Sequence, residues 1–421
     1  MCSFCTNSIN NQTMKIDEKK RAIGIQAKEA WEACDQLGTV ELATGMGKTF
    51  LALDCMASLP KGSDVVFLAE TAQREHDLNV DIDKFKSAFG IDVREHVNLE
   101  FACYQSACKW RRKSFDLAVC DEIHDSMSPV YVQFYKNNKC KRILGLSATV
   151  KSDRTYVIDD VEVNKEILLD DIAPVCFTYD VGAGQREGTS RQLDIHVIYH
   201  RLDQSTRNID GGSKKNPFKT TEARSYKYLD DLFWQGVYSK KDYLVKSSMM
   251  KRSKLLYSLP SKIEATKQLN KTIKGKTIIF NNDLSTLEKV TANVVRSAKK
   301  GETKKQRDEL NFDLRNRFDK GNIRTIGSFK MLKQGANLKG ADNVIMMSYY
   351  SSSIDMIQRI GRLRKNGNKK GSVFIFVTVG TQEEKWFKKM TETIPMEEFN
   401  VITHLDIDQF VKTYGNATDD K

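Results

Sequence analysis

The sequence predicts an α/β protein built from two parallel-sheet domains. Three observations carry that expectation. Apolar runs alternate with helical patterns twice along the chain, once before and once after an irregular stretch ending near residue 255. At 421 residues the chain is too long for one core and suits two domains with an insertion. A glycine-rich loop, Ala43-Thr44-Gly45-Met46-Gly47-Lys48-Thr49, separates the first apolar run from the first helical pattern. That is the position at which open α/β sheets bind their ligands.

Taken in order, residues 1–20 are polar, rich in asparagine, and read as a loose arm. Residues 21–175 form the first predicted domain. Its strands are Thr39–Leu42, Val65–Ala69, Leu99–Cys103, Leu117–Cys120 and Ile143–Leu146, and a helix over Phe50–Ser58 follows the glycine-rich loop. Residues 176–255 read as linker plus inserted helices, around the loop signal Asp210-Gly211-Gly212-Ser213-Lys214-Lys215-Asn216-Pro217. Tyr226, Tyr228, Phe233, Trp234, Tyr238, Lys240, Lys241 and Tyr243 interleave there. That spacing fits a helix core with a solvated face, or a surface that stacks bases and tracks phosphates. Residues 256–421 form the second predicted domain. It holds a helix from Ser261 to Leu269, a strand Thr277–Phe280, a helix Ser285–Ser297, strands Arg324–Ser328 and Asn343–Met347, a helix Ile354–Leu363 and a strand Ser372–Val377. It has no phosphate loop of its own. Lys299-Lys300-Gly301-Glu302-Thr303-Lys304-Lys305 reads as a solvated basic loop that could also graze a phosphate backbone.

The chemistry is carried by four short runs. In the glycine-rich loop, Gly45 and Gly47 let several N–H groups face one phosphate chain. Lys48 can reach the β- and γ-phosphates, and the Thr49 hydroxyl can ligate Mg²⁺. The general G-x-x-x-x-G-K-[ST] pattern is only partly met, since Leu42 stands where its first glycine would be. The apolar run before Asp121-Glu122-Ile123-His124 suits a buried strand with two carboxylates at its carboxyl end. Asp121 would hold Mg²⁺, and Glu122 would orient and deprotonate the attacking water. Ile143-Leu144-Gly145-Leu146-Ser147-Ala148-Thr149 is a strand ending in two hydroxyls. Gln358-Arg359-Ile360-Gly361-Arg362 places guanidinium groups that could stabilise charge on a transferring phosphoryl group.

These runs, in this order, resemble motifs I, II, III and VI of superfamily 2 helicases of the Asp-Glu-x-His type. Weaker resemblances accompany them. Gln26 is similar to the glutamine that reads adenine, Ala69-Glu70-Thr71 to motif Ia and Cys103-Tyr104-Gln105-Ser106 to motif Ib. Thr277-Ile278-Ile279-Phe280 is similar to motif IV, and the stretch from Gly327-Ser328 through Lys330 to Gly335-Ala336-Asn337-Leu338 to motif V. The similarity spans roughly residues 20–380 and most resembles the compact phage and restriction-type helicases of the UvsW-like group. It implies two RecA-like domains, with ATP and Mg²⁺ as cofactors. Lys48, Asp121, Glu122, Gln358, Arg359 and Arg362 would be catalytic. Gln26, Thr44, Gly45, Met46, Gly47, Lys48, Thr49, Gly335 and Asn337 would bind nucleotide, with Thr49 and Asp121 on the metal. His124, Ser147 and Thr149 would couple nucleotide state to the rest of the chain. Thr71, Tyr104, Gln105, Ser106, Ser328 and Lys330 would touch nucleic acid. Two departures stand out. Relatives often carry arginine seven residues after the motif VI glutamine, whereas here Lys365 holds that place and Arg364 sits one residue early. Asn337 stands where many relatives have aspartate.

Composition agrees with such a partner. There are 67 basic and 55 acidic side chains, for a net charge of +12, which favours a polyanion. DNA is expected before RNA, in recombination, repair or replication, with 3′-to-5′ movement implied by the resemblance. Replication or recombination proteins are possible further partners, and a monomer is expected. All nine cysteines fall at or before Cys176, a usage that suits a reducing, cytoplasmic setting. Cys2 and Cys5 form a lone pair with no second pair at zinc-site spacing. No apolar run is long enough to span a membrane.

Overall fold

The structure is a computed structural model that describes residues 3–150, 155–158, 161–212, 215–329, 340–363, 369–392 and 394–415. It divides into two compact units, residues 1–192 with 364–369, and residues 193–363 with 370–421. Each is built on one all-parallel sheet, so the predicted α/β class with two sheet domains is what is found.

In the first unit the strands are β1 (Leu37–Leu42), β2 (Asp64–Ala69), β3 (Asn98–Cys103), β4 (Leu117–Asp121), β5 (Ile143–Ser147) and β6 (Val175–Tyr179). They lie in the order β6-β1-β5-β4-β2-β3. Successive side chains point to opposite faces, and both faces are buried. Val40, Leu42, Val65, Phe67, Leu117, Val119, Leu144 and Leu146 pack on one side with Leu51, Met56, Leu78, Ile82 and Phe85 from two helices. Val66, Leu68, Ala118, Cys120 and Ile143 pack on the other with Tyr104, Phe115 and Phe134. Because all six strands run the same way, the loops after β1, β2, β3, β4 and β5 leave from a single edge. The glycine-rich loop, the Ala69-Glu70-Thr71 run, the Tyr104-Gln105-Ser106 run, the acid pair and the Ser147-Ala148-Thr149 run are those loops.

The expected loose arm is instead the first part of a 31-residue helix, Ser3–Ala33. The segment before Gly24 contains neither proline nor glycine to stop it. Ile23, Ala27 and Trp31, spaced by four, form its buried stripe. The Trp31 indole N–H donates to the Ile143 carbonyl at 2.8 Å, which ties the helix to β5.

In the second unit the strands are β7 (Leu193–His200), β8 (Thr277–Phe280), β9 (Val294–Val295), β10 (Thr325–Ser328), β11 (Asn343–Met346), β12 (Gly371–Thr378) and β13 (Asn400–His404). Their order is β9-β10-β8-β11-β12-β7-β13, all parallel. Ile198, Ile279, Ile345, Phe374 and Phe376 form the core with Ile263 and Leu269 of the helix Pro260–Thr272 and Phe410 near the carboxyl end. Lys262 is buried in this domain, held by Glu383 at 2.8 Å and by the Leu256 carbonyl.

Three expectations change here. The stretch 176–255 is not wholly linker: β6 completes the first sheet, and β7 lies inside the second, paired with β12 from Leu193–Gly371 to His200–Thr378 and with β13 on its other side. The helix expected over Ser285–Ser297 stops at Val290, and the β-branched pair Val294-Val295 forms a short strand. Lys304 and Lys305 open a further helix, Lys304–Asp319, whose capping box joins Thr303 to Gln306. The inserted helices are present as a hairpin, Glu222–Tyr238 and Asp242–Tyr257. Gly236 allows the close approach of Val245 at its turn end, since a Cβ there would meet Val245 Cγ2 at 2.9 Å.

Candidate active site

The site is assembled on the carboxyl edge of the first sheet. After β1 the chain must turn sharply, and Gly45 and Gly47 do so with φ of 86° and 90°, a region costly for other residues. A Cβ on either glycine would meet nothing within 4 Å, so backbone conformation rather than space requires them. Met46, between them, is buried and pins the loop to the core; Thr44 is half-buried. Gly47 caps the helix Lys48–Ala57 without any side-chain bond to its first turn. The free N–H groups of that turn form a seat for anionic oxygens. The Lys48 ammonium donates to the Leu42 carbonyl at 3.2 Å and lies 3.8 Å from Glu122 Oε1.

The acid pair ends β4. Glu122 adopts φ 48° and ψ 55°, the left-handed region, which a residue with a side chain enters only under constraint. Its Oε2 is buried and, among the described residues, has no hydrogen-bond partner. Asp121 is ion-paired with Arg74: Nε to Oδ2 is 2.6 Å. The same guanidinium donates through Nη2 to the Thr49 hydroxyl at 2.7 Å. Burial opposes the charge on Arg74, and Asp121 more than offsets this, so the group is held even more firmly protonated than usual. Thr49 and Asp121 thus share one cation. One carboxylate and one hydroxyl are hard oxygen donors of the kind Mg²⁺ uses when phosphates and water complete its shell. A pair of this kind fits a metal that arrives with its nucleotide.

The run after the acids connects to the end of β5. His124 is buried, and its Nδ1 lies 2.9 Å from Ser147 Oγ. Ser147 Oγ donates its proton to the Thr149 carbonyl at 2.6 Å, so Nδ1 is the donor to it. The Thr149 amide returns a bond to the same hydroxyl at 3.2 Å. His124 Nδ1 also lies 3.6 Å from Glu122 Oε2. Hydrogen bonds therefore join His124 to the Ser147-Ala148-Thr149 run, with the Glu122 carboxylate close beside the imidazole.

Other sequence-selected residues fall elsewhere. Gln26 is exposed on the first helix, and Thr71, Gln105 and Ser106 are exposed on the loop edge. Tyr104, expected to contact nucleic acid, is instead buried beneath the site; its hydroxyl donates to the Asp121 carbonyl at 2.9 Å. Ser328 is likewise buried, at the end of β10. Lys330, Gly335 and Asn337 lie outside the described residues. In the second domain, Gln358, Arg359 and Arg362 are all buried, on or just after the helix Ser353–Ile360. Arg359 departs from a catalytic role. It is 1 % exposed, donates to the Ser348 carbonyl at 2.6 Å, pairs with Asp355 at 2.7 Å and lies over the Phe280 ring. Its Nη1 and Nη2 groups serve its own domain. Arg74 is the residue that sequence reasoning missed. Its only signal was an arginine at a helix start followed by Asp77 and Asp81 on the same face.

Comparison with known proteins agrees with this geometry. The family model for the res subunit of type III restriction enzymes matches residues 13–152, and that for the helicase conserved C-terminal domain matches residues 261–367. The stretch between them, with β7 and the helical hairpin, belongs to neither match. The DNA 3′-5′ translocase XPB2 of Sulfurisphaera tokodaii is 22% identical over 379 residues, covering 87% of this chain and 83% of that protein. Among solved structures, a single-residue variant of S. cerevisiae Dbp5 bound to RNA and ADP BeF3 superposes with a TM-score of 0.57 at 12% identity, over 94% of this chain and 93% of that one. The ATP-dependent type ISP restriction-modification enzyme LlaBIII bound to DNA gives 0.55 at 14% identity, over 94% of this chain. This chain spans 32% of that enzyme's length. With a phosphate loop and an Asp-Glu-Ile-His strand end inside the first matched region and a second parallel-sheet domain around the other, the chain is a superfamily 2 helicase with an ATP-hydrolysing core of two RecA-like domains.

Proposed function

We propose that this helicase is an ATP-driven DNA translocase, moving 3′ to 5′ and remodelling branched or forked DNA. The observation that carries the reading is the convergence of Lys48, Thr49, Asp121 and Glu122 on one strand edge, with the Glu122 Oε2 buried and without a hydrogen-bond partner among the described residues. In this reading Lys48 and the first turn of its helix bind the β- and γ-phosphates. Glu122, held in a strained backbone and 3.8 Å from Lys48, orients the attacking water and takes its proton. Thr49 and Asp121 would hold Mg²⁺, which would supply charge neutralisation at the phosphates. The His124–Ser147–Thr149 chain relays the state of the acid pair to the end of β5. Gln358 and Arg362 are the second domain's contribution to phosphoryl transfer, a role assigned from the motif. DNA and polarity are supported by the similarity to a DNA 3′-5′ translocase.

The nucleic-acid surface is proposed along Thr71, Gln105 and Ser106 in the first domain and along the helical hairpin in the second. On the hairpin, Lys227, Tyr228, Trp234, Tyr238, Lys240 and Tyr243 are exposed, with Trp234 and Tyr238 stacked at 6.0 Å between ring centroids. Exposed stacked rings beside ammonium groups suit bases and phosphates of a single strand. RNA is the second reading, supported by the fold shared with RNA-bound Dbp5.

ATPase stimulation by single-stranded DNA, forked DNA and RNA, compared at one salt concentration, tests the reading. Forked DNA should stimulate most. Glu122→Gln should keep nucleotide and DNA binding and lose turnover. Stimulation by RNA alone would remove DNA, and full turnover in Glu122→Gln would remove the acid pair from the chemistry. A strand-displacement assay beside a translocation assay separates unwinding from movement without separation.

A further inference from the structure

Thr49 and Asp121 come from different elements, the helix after the glycine-rich loop and the end of β4. A third element, the helix Gln73–Phe89, delivers one guanidinium to both. The third nitrogen, Nη1, lies 3.8 Å from Asp81 Oδ2, and the group sits 5.5 Å from the Phe67 ring centroid. Arg74 is mostly buried, so this is a built position rather than a surface contact. The two oxygens it bridges are those that fit Mg²⁺. A guanidinium at 2.6–2.7 Å from both and a metal ion at its usual coordination distance of about 2.1 Å cannot occupy the same space.

We propose that Arg74 is an internal cation that holds the metal seat when no metal–nucleotide is bound, and that binding of a divalent cation with a nucleoside di- or triphosphate displaces it. The physical logic is charge conservation in a buried site. Asp121, largely out of water, is costly to leave without a counter-ion, and Arg74 supplies one until Mg²⁺ takes over. Arg74 also lies beside the proposed nucleic-acid edge: its backbone amide donates to the Thr71 carbonyl at 3.1 Å, in the turn that opens this helix, and Thr71 is exposed. The proposal rests on the nucleotide reading of the site.

The test uses the full chain, its Arg74→Ala and Arg74→Lys variants, and a fluorescent ADP analogue titrated with Mg²⁺. An occupied seat lowers apparent metal affinity by the fraction of molecules in which it is free. If Arg74 holds it nine times in ten, Arg74→Ala lowers the half-saturating Mg²⁺ concentration about tenfold. Arg74→Lys keeps the charge but cannot bridge two oxygens, so it should shift toward the alanine variant. Thermal melts add a second readout. Arg74→Ala should lower the Tm of the nucleotide-free protein while leaving the Tm with saturating Mg²⁺ and ADP near that of the wild type. A Mg²⁺ requirement unchanged within about twofold would overturn the proposal. So would an equal loss of Tm in free and loaded protein, which marks a purely structural ion pair, or an Arg74→Lys variant identical to the wild type. If the wild type bound no ADP analogue at any Mg²⁺ concentration, the nucleotide reading itself would fail, a result distinct from those three.

Discussion

Arg359 and Arg362 stand three residues apart in one motif, yet the structure gives them different work. Arg359 is engaged inside its domain through Nη1 and Nη2, by Ser348, Asp355 and Asn282. Arg359→Ala would remove the buried ion pair with Asp355 and should destabilise the second domain by about 3–5 kcal/mol, read as a lower midpoint in chemical denaturation. Arg362→Lys should leave that midpoint nearly unchanged and lower kcat with little change in nucleotide affinity, because an ammonium cannot bridge two oxygens of the transferring group. Equal denaturation losses in the two variants would argue against this division. A sequence cannot make the distinction, since both residues satisfy the same pattern and only burial and partners separate them. Tyr104 teaches the same lesson: its motif position suggested a surface contact, and the fold turned its hydroxyl inward to the Asp121 carbonyl. Lys48, Thr49, Asp121 and Glu122 were legible because short-range spacing and strand-end position dictate their chemistry.

Among elements, strands with uninterrupted apolar runs were legible almost to the residue, as Thr277–Phe280 shows. Strand β7 was not, because Asp194, His196 and His200 interrupt its apolar pattern. Those polar groups find partners inside: His196 Nδ1 lies 3.0 Å from His404 Nε2, its ring stacks on Phe374 at 4.8 Å, and His200 Nε2 lies 2.9 Å from Ser261 Oγ. A buried polar strand reads like a linker until its partners are known. The helical hairpin raised the opposite ambiguity, core or surface, and the structure divides it. Tyr226 is buried and accepts the Gln382 amide at 2.8 Å, and Arg252 pairs with Asp230 over the Phe233 ring. Trp234 and Tyr238, at 42 % and 80 % exposure, face outward. Stacking on an aromatic ring contributes about 1–3 kcal/mol per base. The Trp234→Ala/Tyr238→Ala double variant should therefore bind a single-stranded oligonucleotide more weakly by that order, with unstimulated ATPase activity preserved. Fluorescence anisotropy would measure it, and an unchanged affinity would take the hairpin out of the nucleic-acid surface.

For the molecule as a whole, acid should weaken the fold, and the second domain holds two histidines that supply a reason. Burial pushes His196 down to about 4, helped by the neighbouring His404, and burial pushes His200 down to about 3, from about 6.5 in an unfolded chain. Both must be neutral in the fold, so their contribution is fully present above about pH 6.5 and is lost as pH falls toward those lower values. The urea midpoint should drop between pH 7 and pH 4.5, and His200→Gln should flatten part of that slope. A slope identical in the variant would show that carboxylates alone cause it. The position of β7 also has a consequence for how the protein is made. Its sheet neighbours, β12 and β13, begin only at Gly371 and Asn400. A ribosome adds roughly 5–20 residues per second, so this strand leaves the exit tunnel on the order of ten seconds before anything can pair with it. During that interval Leu193–His200 is an open sheet edge on a nascent chain. A message cut short after the helicase motifs would then yield not a smaller working motor but a polypeptide with a permanently exposed edge, a ready substrate for chaperones and proteases.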